Sequence, residues 1–205
     1  MELIAILVPA AGFGRRMRGI DKLLQPIDGM PLLARQVARA CAVGAPVLVT
    51  LPANGARAGA LQGSCAHLIP VPDAAEGMAG SLRAGARAAM DIGASALMVL
   101  PADMPDIETS DLCTLCATYY VLPEGTILQA TTSDGRAGHP VILPADLLAQ
   151  VAELTGDIGA RSLLQAHPQR LRRHPLPGDR ALTDLDTPEA WAEWHAARAG
   201  TATDG

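Results

Sequence analysis

Short apolar runs alternate with helical patterns through the first hundred residues of the chain. The apolar runs occupy residues 3–8, 46–51, 67–71 and 95–100. Each has the length and composition of a buried parallel strand. Helical spacing of apolar positions lies between them, at 31–43, 54–62 and 81–92. This alternation predicts an α/β protein with a mainly parallel, doubly wound sheet.

The second half of the chain is less regular. We predict strands at 126–132 and 140–143, an edge strand at 170–176, and helices at 109–122, 145–154, 160–166 and 187–198. Thr109 or Ser110 is expected to cap one helix, and Thr187 with Pro188 to open the last. No internal repeat or long linker divides the chain, so residues 1–198 are predicted to form one domain and 199–205 a flexible tail.

Composition excludes several classes of protein. The 205 residues are 49% hydrophobic, and no apolar run reaches the roughly 18 residues of a membrane span. A formal charge of −5 and 2% aromatic residues argue against a nucleic-acid-binding protein. The amino terminus lacks the basic start of a signal peptide. We therefore expect a cytoplasmic protein with neither nucleic-acid nor membrane partners.

The four cysteines do not predict a disulfide framework in a chain of this length. Cys41 and Cys65 are far apart in sequence. Cys113 and Cys116 form a CxxC, but no second pair accompanies it. Because the spacing around them is helical, both thiols are expected to pack as small hydrophobic groups. A zinc or redox role is the less favoured alternative.

The loop after the first strand is the first candidate site. Residues 9–14 are small apart from Phe13, and the basic residues Arg15, Arg16 and Lys22 follow. Small residues allow the backbone to approach a ligand and direct its N–H groups at an anion. We interpret the loop as a phosphate-binding cradle at the carboxyl end of the strand, where open α/β sheets bind ligands. The alternative is a glycine-rich turn with solvated basic side chains.

Two better-known phosphate motifs do not fit this loop. A dinucleotide fingerprint requires a third glycine, and Met17 occupies that position. A P-loop requires Gly-Lys-Ser/Thr, whereas Lys22 lies between Asp21 and Leu23.

Carboxylates in two later segments are candidate metal ligands. Asp103 follows the apolar run at 95–100, so it is expected at the same sheet edge as the loop. Mg²⁺ binds one or two carboxylates together with substrate phosphates. Alternatively, Asp103 caps a turn before Pro105. In an extended segment, alternation would turn Asp184 and Asp186 to the same side, where one would reach the metal and the other would act as a cap or support.

The pattern AAGxGxRM…K resembles the signature loop of nucleotidyltransferases with the nucleotide-diphospho-sugar transferase fold. That resemblance implies a Rossmann-like, three-layer α/β/α sandwich. Five segments, this loop included, resemble the molybdenum cofactor cytidylyltransferases and together extend to Trp191. In chain order they are PAAGFGRRM with DKLL, GMAGSLRAG, ADMP, GHPVIL, and GDIGARSLL followed by DLDTPEAW. Members of this family join CTP to molybdopterin cofactor for molybdenum hydroxylases.

The resemblance implies a role for individual residues. Lys22, Arg16 and Asp103 are implied to be catalytic, with Mg²⁺ (or Mn²⁺) held by Asp103 and Asp186. His139, in GHP, is implied to border the pterin side, although a hydrogen-bonded turn before Pro140 explains it equally well. The implied nucleotide-binding residues are Ala10, Ala11, Gly12, Gly14, Lys22, Gly80, Ser81 and Asp103.

Other substrates and roles remain open. VPAAGFGRRM also resembles the cytidylyltransferase that acts on methylerythritol phosphate, but that family has Asp-Ala-Ala-Arg-Pro in place of ADMP and lacks GDIGAR. Related enzymes that use GTP carry Ala-Gly-Gly where this chain has Ala-Ala-Gly at 10–12, which favours CTP. The chain departs from the molybdenum family at Pro9, usually leucine, and at Arg18, which precedes Gly19. A sugar phosphate acceptor, or a protein that chiefly delivers finished cofactor, are the remaining alternatives.

Overall fold

A mainly parallel sheet forms the centre of the protein. The structure, a computed structural model, describes residues 3–12, 17–53, 55–72, 77–155 and 161–201. Within these ranges seven strands form the sheet, in the order β5-β4-β1-β6-β8-β7-β9, and β8 alone runs against its neighbours. The seven are β1 (Ile4–Pro9), β4 (Val47–Pro52), β5 (His67–Val71), β6 (Ala96–Val99), β7 (Ile127–Thr131), β8 (Ala137–Pro144) and β9 (Leu171–Pro175). A separate hairpin pairs β2 (Pro26–Ile27) with β3 (Met30–Pro31).

Helices cover both faces of the sheet. They are α1 (Leu32–Cys41), α2 (Ala56–Gly59), α3 (Met78–Asp91), α4 (Thr109–Tyr120), α5 (Ala145–Val151), α6 (Arg161–Ala166) and α7 (Pro188–Thr201). Alternate residues of β1 enter different cores: Ile6 packs with α1, α4 and α7, and Leu7 with α3, α5 and α6. The protein therefore has the Rossmann-like α/β/α sandwich architecture that the resemblance implied.

Close packing fixes α3 against β1. A Cβ atom at Gly85 of α3 would collide with the side chain of Leu7 on β1. The absence of a side chain at this position allows the helix backbone to approach the sheet, which in turn places the first turn of α3 beside the carboxyl end of β1.

Most predicted elements are confirmed to within a few residues, including the edge position of β9. The β2–β3 hairpin and the reversed direction of β8 had no clear signal in the sequence. The last helix continues to Thr201, so residues 199–201 of the predicted tail are helical. The single-domain boundaries themselves stay a prediction.

Helix caps were predicted correctly for α7 but not for α4. The amide of Ala190 donates to Thr187 Oγ1 at 3.1 Å, as expected. At α4, however, Glu108 is the cap rather than Thr109 or Ser110. The backbone N–H of Glu108 donates to Asp111 Oδ2 at 2.9 Å, which forms a reciprocal capping box.

The cysteines depart from the prediction. Cys41 and Cys65, 24 residues apart, form a disulfide that joins the end of α1 to the segment before β5, with their Cα atoms 6.3 Å apart. Cys116 is buried as expected, and burial raises the pKa of its thiol to about 11. Cys113, in contrast, is exposed on α4. In the described ranges, no helix is both long and apolar enough to span a membrane.

Candidate functional site

The carboxyl ends of β1 and β6 bring two of the predicted site segments together. These strands are parallel neighbours, with Leu7 opposite Val99. The loop that begins at Ala10 follows β1, and Asp103 follows β6. At the start of the loop, the amide of Ala10 donates to the Thr50 carbonyl of β4 at 2.9 Å, which extends the sheet register by one residue. This edge is where open α/β sheets bind ligands.

Lys22 bridges two of the predicted acidic residues. Its Nζ donates to Asp103 Oδ2 at 2.5 Å and to Asp186 Oδ1. The Lys22 side chain is only 12% exposed, against 21% for Asp103 and 25% for Asp186. Burial on its own lowers the pKa of Lys22, but the charges and hydrogen bonds of the two aspartates outweigh it and raise this pKa. Lys22 is therefore held as an ammonium ion between two carboxylates.

Asp184 joins the same cluster. One carboxylate oxygen from each of Asp103, Asp184 and Asp186 lies within 4.8 Å of the others. Burial raises the pKa of Asp184, and the neighbouring charges of Asp186 and Asp103 raise it further, while Lys22 opposes them. The expectation that alternation directs Asp184 and Asp186 to one side agrees with this arrangement. All three offer the hard oxygen ligands that Mg²⁺ and Mn²⁺ accept.

Leu185 explains why its two neighbours face the site. It is 1% exposed and packs in the core on the α7 side of the sheet. Its amide donates to the Asp103 carbonyl at 3.0 Å, and its own carbonyl accepts from Trp191 Nε1 at 3.2 Å. Since Leu185 is anchored inward, the carboxylates on either side of it turn outward toward Lys22.

A close backbone contact positions the segment that leads to these aspartates. The amide of His139 donates to the Ala181 carbonyl at 2.9 Å. A Cβ atom at the preceding Gly138 would collide with that same carbonyl. Ala181, at the beginning of this segment, therefore lies directly against the start of β8.

The His139 ring contributes a polar group near the cluster. Its Nδ1 is buried and has no hydrogen-bond partner in the part of the chain that the structure describes. Burial lowers the pKa of His139, and the negative charge of Asp103 only partly opposes this effect. The imidazole is accordingly neutral at neutral pH. Both interpretations of His139, that it borders the pterin side or that it forms a hydrogen-bonded turn before Pro140, stay predictions.

The remaining residues implied to bind nucleotide differ in their surroundings. Ala11 is fully buried and packs with Val71 of β5, so its methyl group contacts an apolar neighbour. Among the residues that the structure describes, no atom lies within 4 Å of a Cβ built on Gly12. Gly80 and Ser81 are both buried in the first turn of α3. Gly14 and Arg16 lie outside the described residues, as do residues 156–160 of the GDIGAR segment.

Sequence reasoning missed Arg57. This residue belongs to α2, where only a short alanine-rich helix was predicted, yet its side chain is 5% exposed. Its guanidinium donates to the carbonyls of Ala10 and Gly12 and to both carboxylate oxygens of Asp21. The available signal was a single arginine in a stretch of small residues, which by itself does not indicate burial.

Comparison with known proteins shows the family and the fold. The model of the MobA-like NTP transferase domain matches residues 6–171. None of the curated proteins matches the chain significantly in sequence. Among solved structures, the Rv0371c homolog from Mycobacterium sp. strain JC1 is 28% identical, with a TM-score of 0.78 over 95% of this chain and 96% of that one.

Two further proteins share the fold. Rv0371c from Mycobacterium tuberculosis H37Rv is 25% identical, with a TM-score of 0.77 over 94% of this chain and 97% of that one. A second structure of Rv0371c is a complex with manganese, at a TM-score of 0.70, 22% identity and coverages of 93% and 97%. CMP:2-keto-3-deoxy-manno-octonic acid synthetase complexed with CTP has a TM-score of 0.76 at 16% identity, covering 98% of this chain and 100% of that one.

Proposed function

The chain belongs to the MobA-like NTP transferase family, and on that premise we propose that it transfers CMP from CTP to the terminal phosphate of molybdenum-molybdopterin cofactor. The products are molybdopterin cytosine dinucleotide and pyrophosphate. Nucleotidyl transfer is supported by the family and by the site. The choice of CTP and of the molybdopterin acceptor rests on the resemblance of the sequence segments from Val8 to Trp191.

One observation carries the proposal: Lys22 lies between Asp103 and Asp186, at the same sheet edge as the small-residue loop. A cation that is held by carboxylates is positioned before substrate arrives and needs little reorganisation. Phosphoryl transfer is catalysed mainly by such positioning and by stabilisation of developing charge. A solvated basic turn, the alternative for this loop, would not place the lysine between two carboxylates.

The donor set of the cluster suits a divalent metal. Asp103, Asp184 and Asp186 provide only carboxylate oxygens, which match Mg²⁺ or Mn²⁺ and not a softer metal. We propose Asp103 and Asp186 as the ligands. When bound, such a metal would supply positive charge beside the nucleotide phosphates. The manganese complex of Rv0371c is consistent with a divalent cation in a protein of this fold.

The residues of the chain then have defined roles in the reaction. An oxygen of the acceptor phosphate attacks the α-phosphorus of CTP in line, the bond to the β-phosphate oxygen breaks, and pyrophosphate leaves. Because the attacking phosphate is already ionised, no side chain has to remove a proton. Lys22 offsets charge on the α-phosphate, and Arg16 is proposed to hold the leaving phosphates. The loop at 10–12 orients the nucleotide.

A matrix of substrates tests the proposal. The four nucleoside triphosphates are each incubated with molybdopterin cofactor, methylerythritol phosphate or a sugar 1-phosphate, and pyrophosphate release is measured. We expect release only with CTP and molybdopterin cofactor. Release with another acceptor overturns the acceptor assignment, and no release from any pair overturns the transfer reaction in favour of a delivery protein. A molybdenum hydroxylase as recipient and a cytoplasmic location are parts of the same proposal.

A further inference from the structure

A buried arginine joins the two halves of the phosphate-binding region. Arg57 Nη1 donates to the Ala10 carbonyl at 2.6 Å and to the Gly12 carbonyl at 2.9 Å. Its Nε and Nη2 form a bidentate pair with Asp21, at 2.7 and 2.9 Å. Ala10 and Gly12 lie at the start of the signature loop and Asp21 directly before the lysine that ends it, so one side chain contacts both ends. We call Arg57 and these three partners the Arg57 clamp.

The clamp determines the direction of the loop backbone. In a trans peptide the C=O of one residue and the N–H of the next point in opposite directions. Since the Ala10 carbonyl points at Arg57, the amide of Ala11 points away from it. Backbone amides that face outward in this way are the groups that bind phosphate oxygens. Arg57 thus lies behind the loop and does not itself face the ligand.

The other arm of the clamp reaches Lys22. Asp21 Oδ1 also accepts from the amide of Leu23 at 3.1 Å and so caps the short 3-10 helix Lys22–Leu24. That helix carries the lysine that bridges Asp103 and Asp186. Arg57 therefore sets the distance between the loop that orients the nucleotide and the cation that contacts its phosphates.

Charge and burial show that this role is geometric. The Arg57 side chain is 5% exposed and its charge is matched by Asp21. Because the charges of Arg57 and Asp21 cancel, the pair adds little electrostatic field at the phosphates of a bound nucleotide. The planar guanidinium of Arg57, however, donates to a carboxylate and two carbonyls at once, which the single nitrogen of a lysine cannot do.

We propose that Arg57 is a positioning residue for nucleotidyl transfer, acting through the Ala10 and Gly12 carbonyls and through Asp21. This inference rests on the proposed function. It requires that loss of the guanidinium slows the reaction more than it destabilises the fold, because a displacement of about 1 Å at a reacting group can cost about 10²-fold in rate.

The test compares Arg57→Lys with Arg170→Lys as a matched control. Arg170 also binds a carbonyl and a carboxylate, those of Gly125 and Asp146, but at the opposite end of the sheet. Pyrophosphate release gives kcat and KM, and urea unfolding gives stability. We expect kcat of Arg57→Lys to fall about 10²-fold with KM for the acceptor little changed. Arg170→Lys should keep its kcat even where its stability falls.

Two further measurements separate positioning from general damage. In Arg57→Ala, added guanidinium ion should occupy the space left by the Arg57 side chain and raise kcat. The increase should reach a plateau at millimolar guanidinium, well below denaturing concentrations. In the nucleotide-free protein, amide exchange at Ala11 and Leu23 should be faster in Arg57→Lys than in wild type. Unchanged exchange, or a kcat loss no larger than that of the control, overturns the proposal. If wild type transfers no nucleotide, the proposed function fails, and the exchange data alone decide whether the clamp exists.

Discussion

Replacing Lys22 by methionine tests the central arrangement of the site. Methionine keeps an apolar chain of similar length but removes the ammonium between Asp103 and Asp186. From the sequence alone, Lys22 is a loop residue whose loss should barely affect stability. The structure predicts otherwise, because the lysine is largely buried and its removal leaves three carboxylates facing one another.

The magnitude follows from the spacing of these carboxylates. Two unit charges 4.8 Å apart repel by about 3.5 kcal/mol at an effective dielectric constant of about 20. Solvent access and protonation of Asp184, whose pKa is already raised, reduce this cost. Breaking a fully buried pair costs about 3–5 kcal/mol, and an exposed pair contributes about 0–1. We therefore expect Lys22→Met to lower the free energy of unfolding by about 2 kcal/mol at pH 8.

Both pH and metal should reverse this loss. In Lys22→Met the pKa of Asp184, which is raised in wild type, should rise further because the lowering charge of Lys22 is gone. The folded state then binds more protons than the unfolded state as the pH falls through this pKa. The stability difference from wild type should consequently be largest above the raised pKa and shrink as the pH falls through it. Divalent cations should bind the variant more tightly, because they no longer compete with the ammonium, and should stabilise it more than wild type.

Urea unfolding at pH 8 and pH 5, with and without MgCl₂, measures these effects, and titration with Mn²⁺ measures affinity directly. The matched control is Arg18→Met, which removes a cation from an exposed ion pair with Glu189 and should change stability by less than about 1 kcal/mol. Pyrophosphate release should fall by at least about 10²-fold in Lys22→Met. If Lys22→Met unfolds like wild type and binds Mn²⁺ with unchanged affinity, the bridging role of Lys22 is refuted.

Four other substitutions test the assigned ligands and nucleotide. Asp103→Asn should reduce activity at limiting Mg²⁺ by at least about tenfold, with partial recovery at high Mg²⁺, because the amide keeps the shape and loses the charge; activity that is independent of Mg²⁺ concentration would contradict this. Asp184→Asn and Asp186→Asn, compared by Mn²⁺ titration, decide the second ligand, and a larger loss at Asp184 would show that Asp186 is the wrong choice. Ala11→Gly should lower the ratio of kcat/KM for CTP to that for GTP without reversing it, since one methyl group is worth about 1–3 kcal/mol of discrimination. Because this methyl packs on Val71, the effect should act through the position of the loop, and a wild-type preference for GTP would contradict the cytidylyl assignment.

Local pattern was sufficient for most of the fold. The apolar runs identified the strands of the parallel half, because strands buried on both faces must be apolar throughout. Alternation also predicted that the side chains of Asp184 and Asp186 point in the same direction, opposite to that of Leu185. Side-chain direction in an extended segment depends only on sequence order. These features are set by neighbours in the chain, so the sequence contains the information directly.

The contacts that make the site were decided only by the tertiary structure. Lys22 is 81 residues from Asp103 and 164 from Asp186, and no local pattern pairs them. The same holds for the disulfide between Cys41 and Cys65, which depends on the packing of α1 beside the segment before β5.

Arg57 is the clearest case of this limit. A charged residue in a small-residue segment is expected on the surface, because burying an unpaired charge costs several kcal/mol. Here the fold brings the Asp21 carboxylate and the carbonyls of Ala10 and Gly12 to within hydrogen-bonding distance of the guanidinium. Burial of Arg57 is stable only because all of these partners converge, and that convergence arises from the packing of β1, α2 and the Lys22 helix against one another.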